Sequence, residues 1–237
     1  PICLTASATD TDVLEVLSQG GFDGFIDSSW PEQAVEAALT AAVKRVERGN
    51  VYLDLGGNAE AFIASRHMIH GETVRPGDRL RAFLYEVRSE LRGPQLFASR
   101  TIKEFLMALF ELEVPEIADG IVEIKACARE PGHRTKIAVW SNDHNVDPVG
   151  ACVGARGGRV RMVVNEMRGE KIDIVPFSED LADFVAKALS PAKVTAVHIS
   201  EDGTAADVIV PDHQLSLAIG REGQNARLAA RLTDPVR

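Results

Sequence analysis

Two glycine loops hold the residues best suited to binding chemistry: Val153-Gly154-Ala155-Arg156-Gly157-Gly158-Arg159 and Ile219-Gly220-Arg221-Glu222-Gly223-Gln224-Asn225. Each has the spacing G-x-x-G, is entered by an apolar turn and leads into an apolar, arginine-bearing stretch. Glycine at both ends removes a Cβ where phosphate or sugar must approach the main chain. The amides that open the next helix then present a favourable end to an anion. Arg156, Arg159 and Arg161 in the first copy, and Arg221 and Arg227 in the second, are placed to contact phosphates, which positions a strand without reading its bases. Glu222 repels phosphate but can accept a hydrogen bond from a base amino group. Gln224 and Asn225 can read a base edge or cap the helix. The chemistry is backbone capture of a single-stranded nucleic acid.

A four-residue pattern recurs by chance in a chain with 19 glycines, and Gly21-Phe22-Asp23-Gly24 is such a recurrence. It has an acid and no base, and reads as a turn. Neither arginine-flanked loop continues into Gly-Lys-Ser/Thr, so a nucleoside-triphosphate loop is unsupported. Asp143, Asp147 and the acids over 166–173 lack metal-ligand spacing, and Cys3, Cys127 and Cys152 form no C-x-x-C pair. His67 and His70 have no further ligands nearby and read as surface residues. Neither a catalytic constellation nor a metal or cofactor site is expected, and the thiols fit a reducing, cytoplasmic compartment. No apolar run approaches the ~20 residues of a membrane span, and no signal sequence is evident.

The formal charge of −9 is unusual for a nucleic-acid binder, so its distribution matters. Residues 1–43 contain seven acids and no Lys or Arg, whereas residues 44–110 carry +3, residues 111–190 carry −4 and residues 191–237 carry −1. Binding must therefore rest on local arginine placement.

The elements around the loops repeat. A helix over 101–120, a hairpin of Val122 to Arg129 and Thr135 to Trp140, a short helix into Gly154, a helix Arg159 to Arg168 and a strand Lys171 to Val175 give α-β-β-α-loop-α-β. The order returns with a helix Leu181 to Leu189, strands Val194 to Ser200 and Ala206 to Val210, a helix His213 to Ile219, and a helix Asn225 to Leu232. Superposing Gly154 on Gly220 pairs Arg161 with Arg227 and Met162 with Leu228. This is the order of a bacterial-type KH domain, whose groove holds about four nucleotides against its G-x-x-G turn. The second copy ends without an apolar strand matching 171–175, so it reads as truncated. The short Ser190-Pro191 step favours a rigid pair.

Between Val43 and Arg100, five short strands separated by Gly, Pro, Asn and Asp turns suggest a small OB-type barrel. Residues 1–43 read β-α-β-α, with a strand Ile2 to Leu4, a helix capped by Asp10 or Thr11, a strand Phe22 to Ile26, and a helix from Pro31 bearing Val35, Ala38, Leu39, Ala42 and Val43. That stretch resembles the closing part of a response-regulator receiver domain, with Thr5 at the place of the switch hydroxyl. The half that would carry the phosphoacceptor aspartate is absent, so an adapter or partial domain is the favoured reading over a phosphorelay output.

The runs Arg45 to Gly56, Tyr85 to Arg88 and Gly93 to Arg100 resemble the RNA-binding barrel of the NusA family of bacterial transcription factors. The likeness continues through Glu111 to Gly120, Asn145 to Gly154, Gly169 to Pro176 and Asp212 to Leu232. It implies an α+β multidomain chain: a receiver-like or adapter segment at 1–42, an OB barrel at 43–100, a first KH domain at 101–180 and a second at 181–237. Such barrels bind single strands on aromatic platforms beside cations, and by position Arg48, Asn50, Tyr52, Arg66 and Arg88 are the candidates. The resemblance implies a non-catalytic factor that binds nascent single-stranded RNA. Its partners would be RNA polymerase and other elongation or antitermination factors, with no membrane. The family's polymerase-binding domain should precede the barrel, where the receiver-like stretch stands instead. The alternative is a KH and barrel module of an exonuclease or a ribosome-associated protein.

Overall fold

Alternating apolar residues dictate the first half of the molecule. A computed structural model describes residues 3–5, 37–56, 59–88 and 95–234; the expected helices and the strand within 6–36, and the Gly21–Gly24 turn, lie outside them. The chain divides into two compact units, Pro1–Leu109 and Phe110–Arg237.

In the first unit, β1 (Cys3–Thr5), β2 (Ala37–Glu47), β3 (Asn50–Gly56), β4 (Ala59–Ile63), β5 (Arg79–Val87) and β6 (Leu96–Ser99) form one sheet. Strands β2, β3, β4, β6 and β5 follow in that order, and β2 pairs with β5 to close a five-stranded barrel. All these pairings are antiparallel except β4–β6. Every second residue points inward: Leu39, Ala41 and Val43 on β2, Val51 and Leu53 on β3, Ala61 and Ile63 on β4 are buried in one cluster. Fully burying each larger member contributes about 1.5–3 kcal/mol.

The β2–β3 register pairs Glu47 with Asn50, leaving a two-residue loop in which Arg48 (φ 52°) and Gly49 (φ 82°) both have positive φ. That is the backbone a tight hairpin needs to match strand twist.

Residues 37–43 correct the sequence reading. They are strand, not the end of a helix from Pro31. Ala38, Leu39, Ala42 and Val43 fit a helical stripe, but Leu39, Ala41 and Val43 fit a period of two equally well. Pairing with β5 and β1 on either side decides between them.

In the second unit, α1 (Lys103–Glu113, which crosses the unit boundary), α2 (Pro115–Ala118), β7 (Val122–Glu130), β8 (Arg134–Ser141), α3 (Pro148–Val153), α4 (Gly158–Glu166) and β9 (Lys171–Pro176) make the first module. Then α5 (Leu181–Ala188), β10 (Ala196–Ile199), β11 (Ala206–Ile209), α6 (Asp212–Ile219) and α7 (Gln224–Thr233) make the second. Capping is explicit at two helices: Asp147 accepts from the Val149 amide before α3, and Asp180 from the Ala182 amide before α5.

The first sheet has the order β7-β8-β9, with β9 parallel to β8. The second has two strands among the described residues, β10 and β11. Central strand β8 is buried from Thr135 to Val139 because both faces are covered. Helix α3 packs on the first module's sheet, while Ala128, Ala138 and Val175 of that sheet share a core with Phe184, Val185, Leu228 and Leu232 of the second module. Small residues on the sheet let α7 come close.

Ser190–Pro191 follows α5 within the second module, so it is not the connection between modules. The chain crosses at residues 177–180 instead. What unites the pair is the shared core, together with Lys136, whose buried Nζ donates to Asp173 Oδ2 (2.8 Å) and to Ser190 O (2.7 Å). Burial depresses the Lys136 pKa, and Asp173 partly restores it.

Candidate nucleic-acid interface

The two glycine loops have nearly the same backbone. Gly154 lies at φ 72°, ψ 173° and Gly220 at φ 75°, ψ 172°, a region open essentially to glycine alone. Two residues on, Arg156 (φ 52°, ψ 29°) matches Glu222 (φ 53°, ψ 27°), and Gly157 (φ 73°) matches Gly223 (φ 74°). Each loop closes with the same bonds. The Gly154 amide donates to Gly150 O and the Gly220 amide to Ser216 O, both at 2.9 Å; Gly157 donates to Gly154 O and Gly223 to Gly220 O.

The side chains leaving each loop also repeat their work. Five residues after the first glycine, Arg159 Nη1 donates to Ala151 O at 2.7 Å, and Asn225 Nδ2 donates to Leu217 O at 3.3 Å. Seven residues after it, Arg161 Nη2 donates to Arg156 O at 2.8 Å, and Arg227 Nη1 to Glu222 O at 3.2 Å. The acceptors stand at equivalent positions, and the second pair pins the peptide whose residue has positive φ. Arginine at the seventh position is therefore a loop brace in both modules.

These bonds separate the expected contact residues. Ala155, Arg156, Arg221 and Glu222 are exposed at the loop tips; Arg221 and Glu222 face each other at 3.5 Å with side chains 92% and 81% exposed. Arg159 is held by Glu116 Oε2 at 2.8 Å as well as by Ala151. Asn225 is buried, and its Nδ2 donates to Leu189, Leu217 and Ala218 carbonyls at the ends of α5 and α6. Neither Gln224 nor Asn225 caps α7. Gly223 is the N-cap, and no side chain bonds there. Helix α4 likewise begins at Gly157 without a side-chain cap, so the opening amides of both helices have no capping side chain to displace.

Gln224 and Arg227 point instead to the first module. Glu130, the last residue of β7, accepts from Gln224 Nε2 (2.8 Å), Arg227 Nε (2.7 Å) and Arg231 Nη2 (2.7 Å). Arg227 above all, then Gln224 and Arg231, pull the Glu130 pKa down to about 2. The Cys152 thiol beside the first loop is driven the other way, to about 12, by burial. It is a packing group there, not a nucleophile.

On the barrel, Tyr52 belongs to a row running across the sheet. Register places Arg45 opposite Tyr52, Tyr52 opposite Phe62, and Phe62 opposite Phe97. The rings touch at centroid distances of 5.2 and 5.8 Å. Guanidinium groups cover both ends, Arg45 lying 3.7 Å from the Tyr52 centroid and Arg88 4.3 Å from that of Phe97. Glu60 and Glu47 hold Arg45, while Glu86 holds Arg88. Arg48 is exposed on the β2–β3 hairpin loop and Arg66 on the short 3-10 turn Ser65–His67, and Asn50 ties these two segments together by accepting from the Ser65 amide at 2.9 Å.

Arg45, Phe62 and Phe97 are missing from the sequence reading. Each ring sits between two residues of the barrel interior, in Ala61-Phe62-Ile63 and Leu96-Phe97-Ala98. Period-two alternation on either side was the available signal.

Among the described residues no three His, Cys, Asp or Glu side chains come together as a metal site, and no helix is long and apolar enough to cross a membrane.

Comparison with known proteins agrees with this layout. Residues 100–177 match the NusA-like first KH domain and residues 181–235 the NusA-like second KH domain. A protein of Halalkalibacterium halodurans, named transcription termination/antitermination protein NusA, is 52% identical over 198 residues, covering 84% of this chain and 52% of that protein. Proteins of the same name are 50% identical in Bacillus subtilis and 48% identical in Rickettsia prowazekii, covering 84% and 82% of this chain and 53% and 39% of their own lengths. The chain thus spans about half the length, or less, of these relatives. These matches do not favour an exonuclease or ribosome-associated module. With its closed barrel and two matched KH modules, the chain belongs to the NusA family.

Proposed function

We propose that this chain is a non-catalytic, cytoplasmic RNA-binding part of a bacterial transcription factor. In this reading it acts with RNA polymerase and its elongation and antitermination partners in pausing, termination and antitermination. The observation that carries the RNA-binding reading is the repetition of one loop backbone in two modules, glycine-only dihedrals included. Ala155-Arg156 and Arg221-Glu222 are exposed on that backbone, and a phosphate chain needs such an unobstructed approach.

Arg156 and Arg221 supply phosphate contacts at the loop tips, aided by the N-terminal ends of α4 and α7, which no side chain caps. Arg159, Arg161, Asn225 and Arg227 shape the loops. The row Tyr52–Phe62–Phe97 with Arg45 and Arg88 offers base stacking in the barrel, and each stacked base contributes about 1–3 kcal/mol. Single-stranded RNA should bind in a salt-sensitive manner and more tightly than duplex DNA.

Ultraviolet crosslinking to single-stranded RNA with peptide mapping tests all three modules together. Crosslinked peptides should span 154–161, 220–224 and the Tyr52–Phe62 hairpin. Absence of crosslinks from both loops would refute the clamp reading.

A further inference from the structure

Both modules pin their loop with an arginine, but only one of those arginines is itself held by a carboxylate. Arg161 in the first module donates to Arg156 O, and no described acid pairs with it. In the second module Arg227 donates through Nη1 to Glu222 O and through Nε to Glu130 Oε1. Glu130 ends β7 of the first module, immediately before the Pro131-Gly132 turn, and its side chain is only 19% exposed. Its two oxygens take three donors from one face of α7, at positions 224, 227 and 231. Gln224 is the first residue after Gly223, so the carboxylate is fastened to the helix at the point where the loop ends.

We propose that Glu130 is a positioning residue for the second G-x-x-G loop: acting through Arg227, it sets that loop's backbone and its placement relative to the first module. A charge-assisted bond of 2.7 Å donated by Arg227 Nε to this largely shielded carboxylate fixes the guanidinium plane. The fixed plane aims Nη1 at the carbonyl of the residue held at positive φ. In the first module the carboxylate contact falls on a different arginine: Glu116 holds Arg159, two residues before Arg161. The two loops then present one RNA strand with two binding points at constant spacing, and the strand binds the second without repeating the entropy loss of the first. This consequence rests on the reading that the second loop binds RNA; the positioning itself does not.

The alternative role for Glu130 is simple charge: it neutralises arginines that would otherwise attract phosphate. Glu130→Gln separates the two, since it keeps shape and one acceptor but frees Arg227 and Arg231. Amide hydrogen exchange on the RNA-free protein should show the 221–223 amides exchanging about three- to tenfold faster in Glu130→Gln, with 155–157 unchanged as an internal control. Unchanged exchange at 221–223 overturns the proposal. If Glu130→Gln does not fold, Glu130→Asp, which keeps the charge but withdraws it by one methylene, must show the same selective acceleration.

With RNA, Glu130→Gln should weaken a strand of about ten nucleotides roughly fivefold and leave one of about four nucleotides unaffected. Equal or tighter binding of the longer strand assigns Glu130 the charge role and overturns its part in RNA binding. A wild-type chain that binds neither RNA defeats the proposed function, while the exchange experiment still decides the positioning.

Discussion

The first and second KH modules share nearly the same loop backbone, with a difference of 11° in ψ between Gly157 (22°) and Gly223 (11°), yet they solve its anchoring with different side chains. Where the first has Arg159, reaching across to Glu116, the second has buried Asn225, whose amide ties together the ends of α5 and α6. Where the first exposes Met162 (54%), the second buries Leu228 completely. Position 166 is Glu in the first module, while its equivalent, Leu232, is buried in the second. The difference follows from location. Helix α7 lies on the first module's sheet and needs an apolar, hydrogen-bonding face toward it. The backbone geometry that meets the ligand is kept, and the face behind it varies with what each module must pack against.

The largest test of this contrast uses the leading glycines. A Cβ at Gly220 would sit 2.8 Å from both the backbone nitrogen and the Cβ of Asn225, whereas at Gly154 it would meet the Arg159 side chain at 2.7–3.0 Å. Both substitutions incur the cost of a glycine-only conformation, about 1–3 kcal/mol, but a backbone clash cannot be relieved by a rotamer. Gly220→Ala should therefore destabilise by about 4 kcal/mol and Gly154→Ala by about 2 kcal/mol in urea unfolding. Equal costs would mean the two anchors are equivalent.

Removing the anchors gives a smaller effect. Asn225→Ala leaves three carbonyls without their donor and should cost about 2–3 kcal/mol. Arg159→Ala breaks a part-exposed ion pair and should cost about 1 kcal/mol or less. Thermal unfolding of the two variants reads the difference, and a greater loss for Arg159→Ala would reverse the account.

Acid should loosen the junction before it unfolds the modules. Glu130 has a folded pKa below that of a free carboxylate, so its contribution is complete above about pH 4.5 and is lost as pH falls toward about 2. Exchange at 221–223 should rise through that window ahead of 155–157; simultaneous rise would remove Glu130 from the explanation. Smallest of all, Cys152→Ala copies the residue the second module already uses at that place, Ala218, and should change stability by about 1 kcal/mol or less. The thiol, displaced to about 12, should also resist alkylation in the folded protein at pH 8.

Legibility of these features in the sequence tracks the range of the interaction. The loops, the repeated helix–hairpin order and the barrel alternation depend on neighbours a few residues apart, and spacing reports them directly. The start of the barrel is ambiguous in the sequence because an alanine-rich run satisfies both periods, and pairing with the distant strands β1 and β5 breaks the tie. Asn225 looks like a base reader or a cap by type and position. Its burial follows from α5 and α6 ending beside it, and no local pattern encodes that. Glu130 lies 94 to 101 residues from its three partners, beyond any spacing argument. The aromatic row was partly readable, because outward-facing rings on neighbouring strands follow from alternation, but their lateral order needed the register.

If the two loops are RNA-backbone clamps of unequal charge, fluorescence anisotropy with single-stranded RNA will distinguish them. The variants are Ala155→Asp/Arg156→Asp and Arg221→Asp/Glu222→Asp. Aspartate tolerates the positive φ at the third loop position, so circular dichroism should show an unchanged fold. Both variants should weaken binding, the first by about tenfold and the second by less, because the second loop already holds an acid. Wild-type affinity in both variants would contradict the clamp reading.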